Sequence, residues 1–226
     1  MLCTLSNAQM RLSPDNNEVD ASLIKDEVYE MRWSVKSGDT SNDIGKVITK
    51  IKNNGDKVLI TSEVKRYNSA KRWVDTTIVT KADLKPIYHA SYNENRDMVI
   101  NYGAKTEGFY KDKTKREKIT LNGEYPTSFD SSMYPQVIRW LPLNDNYTAD
   151  LLVFNFNPSG KTDVLNAYVK EVSSTSYNNK DVWDVVVTDD IVGGNVKTHY
   201  YISKEDRSVL RMEVNMGAQS MIMERI

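Results

Sequence analysis

The residues with the most chemical potential in this chain are its two histidines, His89 and His199, and its single cysteine, Cys3. A Ser-His-Asp or Cys-His set needs a nucleophile on a sharp turn within reach of an imidazole, and no Gly-x-Ser-x-Gly or comparable elbow occurs. His199 shares a strand face with Lys197, Tyr201 and Ser203, and His89 sits beside Ile87 and Ser91, so both read as surface or rim residues of strands. Metal chemistry fares no better. Asp15-Asn16-Asn17-Glu18-Val19-Asp20 offers oxygen ligands but lacks the central glycine and distal glutamate of a calcium loop. Glycoside hydrolysis would need two acids held about 5 to 10 Å apart across one cleft, and a chain with thirty-one acids gives that pattern no meaning without geometry. Gly193-Gly194 precedes a strand rather than a helix, so it is a turn and not a phosphate loop. No catalytic residue, metal or cofactor is expected.

What remains is aromatic. Trp33, Trp73, Trp140 and Trp183 each fall on the large-apolar face of their segment, and Met133 and Val137 share a helical stripe with Trp140. Tryptophan in a sheet is more often core than ligand platform. Both uses stay open, and these six residues are the sequence's candidates for lining a cleft that takes a small apolar ligand. The basic run 111–118, with Lys113, Lys115, Arg116 and Lys118 beside Phe109 and Tyr110, mixes its signs and reads as a solvated hairpin tip.

The elements that would position these residues are strands. Residues 27–36 alternate Tyr29, Met31, Trp33 and Val35 against Val28, Glu30, Arg32 and Ser34, and residues 43–52, 57–67 and 72–81 continue the pattern. Asn53-Asn54-Gly55-Asp56 and Tyr177-Asn178-Asn179-Lys180 are turns built from residues that accept positive φ. Residues 181–225 hold four more strands in a row. One helix stands out near 132–141, with Asp130, Ser131 or Ser132 as its cap, Pro135 in its first turn and Pro142 as its stop. The expected fold is all-β, about twelve strands in a highly curved antiparallel sheet or open half-barrel, with that helix packed in the concavity. Long strands must twist, and a flat sheet would leave an apolar face wet.

Composition bounds the rest. Thirty basic and thirty-one acidic residues leave a formal net charge of −1, so no global field favours nucleic acid. No stretch approaches the roughly 18 consecutive apolar residues of a membrane-crossing helix. Residues 1–8 end in Ser6-x-Ala8, small residues where signal peptidase cuts, and read as the remnant of a signal peptide; a floppy cytosolic start is the alternative. After removal no cysteine would be left, which suits an oxidising envelope compartment. Residues 9–24 read as a polar tail, and 25–226 as a single β domain.

The second half carries a resemblance. The Asp130-Ser131 helix start, Arg139-Trp140-Leu141-Pro142-Leu143, the hairpin through Gly193-Gly194 and Tyr201-Ile202-Ser203-x5-Val209-Leu210-Arg211-Met212 resemble an uncharacterised family of bacterial proteins exported to the periplasm. Its members look like curved half-barrels similar in shape to the lipoprotein carriers LolA and LolB, and the resemblance spans residues 27–226. It implies an apolar concavity able to take an acyl chain and carries no catalytic residue with it. The expected function is therefore a non-enzymatic binding or carrier module of the periplasm or outer cell envelope for a lipidic or other apolar ligand. The alternatives are an envelope assembly protein that meets a protein partner and, remotely, a glycan hydrolase.

Overall fold

Alternating side chains give nearly every strand one apolar face, and the strands pair so that those faces line the inside of one continuous curled sheet. A computed structural model describes residues 11–226; the signal-like start, residues 1–8 with Cys3, lies outside the described residues. The strands are β1 (Arg11–Leu12), β2 (Glu27–Ser37), β3 (Thr40–Asn54), β4 (Lys57–Arg66), β5 (Trp73–Thr80), β6 (Pro86–Tyr92), β7 (Arg96–Asn101), β8 (Thr106–Asp112), β9 (Glu117–Gly123) and β10 (Phe129–Asp130). After the helix α1 (Tyr134–Arg139) come β11 (Ala149–Asn155), β12 (Asp163–Tyr177), β13 (Lys180–Asp189), β14 (Lys197–Ser203), β15 (Val209–Met216) and β16 (Gln219–Arg225).

Two meanders, β2 to β9 and β11 to β16, are joined edge to edge where β16 pairs antiparallel with β2. The path runs from β1 and β11 at one end to β9 at the other, and the ends do not pair. The sheet is open. The far edge of β11 is covered by two-residue parallel pairings with β1 and β10, and β9 blunts the other edge with Glu117 and Lys118. Curvature comes from length and from bulges. β3 and β12 each have 15 residues, and register shifts at Trp33/Ser34, Ile78/Val79, Val169/Glu171 and Tyr201/Ile202 add local twist.

The link from β9 to β11 crosses the opening and carries α1 into the concavity. Met133, Val137, Ile138, Trp140 and Leu141 are buried there against Tyr29, Met31, Val58, Val79, Leu151 and Val185. A six-residue helix has almost no intrinsic stability, so this burial holds it. Its buried Arg139 is not left unpaired. The guanidinium donates to Glu27 at 2.9 Å and to the Arg207 carbonyl at 2.6 Å.

Three features differ from the sequence reading. Among the described residues sixteen strands replace the expected twelve, because β9 is a polar edge strand, β8 beside it is interrupted by Gly108 and has no clear alternation, and β1 and β10 are two residues long. The helix is shorter than 132–141, and its N-cap is Met133 with no side-chain cap, since Asp130 turns back to bind the Ser132 amide instead. Residues 11–24 are not a tail: Leu12 and Ile24 belong to the main core, and the Asp20 amide donates to the Trp140 carbonyl. The expected turn at 177–180 is present, with Asn178 and Asn179 at φ of 48° and 60°. No helix of the described residues is long and apolar enough to cross a membrane.

Gly108 in β8 sets one limit on this packing. A Cβ there would lie 2.0 Å from the Val99 carbonyl oxygen of the neighbouring strand, whereas Gly38, at φ +57°, has open space around it. Gly108→Ala is expected to destabilise the fold by about 2 to 4 kcal/mol through this backbone clash, and Gly38→Ala by about 1 kcal/mol through backbone strain alone. Urea unfolding of the two variants measures the difference; equal effects would contradict the register described here.

Alkaline unfolding gives a second test. Tyr134 donates to Asp189 at 2.7 Å beside Tyr200, and burial, first among the causes, pushes both phenols above their ordinary value. Folded values above the unfolded value of about 10 mean that stability is intact below pH 10. Above it each such tyrosine removes about 1.4 kcal/mol per pH unit. Tyr134→Phe should therefore lose less stability between pH 9 and pH 11 than the unsubstituted protein, whatever the substitution costs at neutral pH.

Candidate functional site

Where the two ends of the sheet approach one another, side chains take the place of a hydrogen-bonded ladder. Phe154 of β11 points across the gap and meets Tyr102 and Tyr125 edge-on, with ring centroids 5.6 and 4.9 Å away. Ile100 and Leu121 complete this second, smaller apolar cluster, with Met98 and Phe156 against it. Two clefts flank Phe154. One, of about 530 Å³, is bordered by Pro86, Tyr102, Ala104, Thr106 and Tyr125. The other, of about 200 Å³, is bordered by His89, Met98, Ile100, Tyr110 and Phe156.

A buried polar cluster ties the ends together behind these clefts. The Oγ atoms of Thr77 and Ser132 each lie 3.0 Å from His89 Nδ1 and 3.2 Å from one another. Asp130 accepts from the Ser132 amide at 2.8 Å, from the Ser132 hydroxyl, and from the Tyr102 hydroxyl at 2.5 Å. Because the Ser132 hydroxyl donates to this carboxylate, its oxygen is free to accept from His89 Nδ1–H. Burial first, and Asp130 second, push the Tyr102 phenol well above its ordinary value, so it stays a donor.

Serine, histidine and aspartate here do not form a catalytic relay. In a relay the serine and the acid occupy opposite ring nitrogens. In this cluster Ser132 and Thr77 both contact Nδ1, Asp130 Oδ1 is 3.7 Å from the same atom, and Asp130 holds the serine hydroxyl directly. The arrangement orients and satisfies buried polar groups. His89 is thus buried, at 3% exposure, rather than a rim residue. His199 lies on the outer face with Nδ1 3.0 Å from Asp184. No cluster of three or more metal-ligating side chains occurs among the described residues.

The six residues expected to line a cleft do not line one together. Met133, Val137 and Trp140 are fully buried and plug the middle of the trough with α1. Trp183 is half-buried against that core with Lys204 Nζ 3.8 Å above its ring. Trp33 is half-buried in β2 opposite Met223. Trp73 donates to Asp75 at 3.1 Å and borders a third cleft, of about 320 Å³, with Arg66, Arg72, Arg96 and Tyr110. The residues that do frame the seam, Phe154, Tyr102 and Tyr125, are scattered in sequence. Only the alternation Phe154-x-Phe156 hinted at one of them.

Comparison with curated proteins found no match. Among solved structures the chain is similar to the crystal structure of a beta-barrel-like protein of domain of unknown function DUF1849 from Brucella abortus. The identity is 11%, the match covers 88% of this chain and 96% of that one, and the TM-score is 0.49. The family match runs over residues 28–224, from the start of β2 to the end of β16 and thus through both meanders and the link between them, and by it the chain belongs to DUF3108, a family of proteins of unknown function.

Proposed function

We propose that this protein is a non-enzymatic binding module of the bacterial cell envelope that holds an apolar or amphipathic ligand at the open side of its sheet. The observation that carries the reading is the seam itself: a curled sheet whose ends stay apart, with aromatic rings between two clefts of about 530 and 200 Å³. The larger cleft is within the range of small-molecule sites. The centre of the trough is filled by Trp140, Met133 and their neighbours, so a guest would lie at the seam and not under the helix. The signal-like Ser6-x-Ala8 supports export, and a curled sheet with a helix in its concavity supports the likeness to lipoprotein carriers. The histidine geometry supports a role without catalysis. An assembly role through strand addition is less favoured, because the free edge at β9 carries Glu117 and Lys118.

Protein purified from its native cells should release an apolar molecule on organic extraction, and the delipidated protein should bind a fluorescent fatty-acid probe. Ala104 is exposed at the rim of the larger cleft, so Ala104→Trp should fill that space without disturbing the core. The variant is expected to weaken the probe by at least about tenfold, 1.4 kcal/mol, with an unchanged melting temperature. No co-purifying molecule together with identical probe binding by both proteins would refute the proposal.

A further inference from the structure

The third cleft, at the rim where β4, β5 and β7 begin or end, has an imbalance of charge that the protein leaves unresolved. Arg66, Lys71, Arg72 and Arg96 border it against one acid, Glu94, which is already paired with Lys71. Arg72 has only a distant partner, Glu63, at 3.8 Å. Arg96 is the informative one. It is half-buried, its Nη2 donates only to Ser91 Oγ at 3.1 Å, and its Nε is buried without a partner. None of the nearby acids forms an ion pair with it among the described residues: Asp75 accepts from Trp73 at 3.1 Å, Asp97 pairs with Lys113 at 2.6 Å, and Asp130 accepts from Tyr102 and Ser132. A guanidinium drawn out of water without an anion or a full set of acceptors is costly, and an incoming anion would relieve it.

Arg96 also stands at a junction. With Tyr110 it borders both the basic cleft and the cleft that leads past Met98 to Phe154 and Phe156. That second cleft sets Met98, Ile100, Phe154 and Phe156 among Asp75, Asp130 and Ser132, so a cation at its border matches a molecule whose acidic end stays at Arg96 and whose apolar part lies against the rings. We infer that the ligand is an anionic amphipath whose acidic head, a phosphate, sulfate or carboxylate, is received by Arg96 with Arg66 and Arg72 beside it, while its apolar chain lies toward Phe154. This rests on the seam being a binding site and adds the chemistry of what fills it.

Titration calorimetry on the delipidated full chain at low salt, with probes kept monomeric, separates the two ideas. The probes are dodecyl phosphate, dodecylphosphocholine and inorganic phosphate. Dodecyl phosphate is expected to bind at least about tenfold more tightly than dodecylphosphocholine, and Arg96→Gln should abolish that preference while sparing the zwitterion. Arg72→Gln, at an exposed position that the fold does not need, should reduce the preference by about threefold and carries the test if Arg96→Gln does not fold. Equal affinity for both amphipaths, unmoved by either substitution, overturns the acidic head and leaves the apolar site standing. No binding of either amphipath removes both ideas. Inorganic phosphate binding as tightly as dodecyl phosphate means a small-anion site and overturns the amphipath.

Discussion

The two ends of the sheet are held by side chains instead of a ladder, and Asp130 is where they meet. Its carboxylate gathers the Tyr102 hydroxyl from beyond β7 and the Ser132 amide and hydroxyl from its own segment, and through Ser132 it reaches Thr77 of β5 and His89 of β6. Hydrogen bonds to a charged acceptor contribute more than neutral ones, about 1.5 to 3 kcal/mol, and losing the acceptor strands every donor at once. The spacing of the seam follows from this knot. If the ends paired directly, Phe154 would be sealed within a closed barrel wall; if the knot were absent, the core around α1 would be open to water along one side.

The same crossing explains the helix. Chain order makes the link between β9 and β11 pass from one end of the sheet to the other, and on the way it packs α1 into the concave face. An apolar segment on that route serves twice, as connection and as core. Met133, Val137 and Trp140 therefore owe their burial to topology as much as to hydrophobicity, and Arg139 is tolerated in the interior because Glu27 and the Arg207 carbonyl stand where its donors point.

Period-two alternation makes β2 to β7 and β11 to β16 legible in the sequence, and the Asn and Gly turns mark where they reverse. β8 and β9 are not legible, because β9 is an edge strand that carries lysine and glutamate where an inner strand carries valine, and β8 beside it is polar and interrupted by Gly108. The same is true of β1, whose two residues are strand only because β11 lies beside them. The burial of His89 is not legible, because its place beside Ile87 and Ser91 tells which face it takes, not whether Ser132, 43 residues further on, covers it. The seam escaped for the same reason: Tyr102, Tyr125 and Phe154 meet through the closure of the whole sheet, and no local period encodes that.

Phe154 is only 2% exposed although clefts lie on both sides of it, since the edges of Tyr102 and Tyr125 cover its faces. Edge-on aromatic contacts of this kind are worth about 0.5 to 1.5 kcal/mol beyond their area. That is small against the transfer energy of several methylenes, at about 0.8 kcal/mol each. On the proposed function a guest at the seam would exchange those ring contacts for its own, whereas the centre of the trough is filled by a helix and a tryptophan.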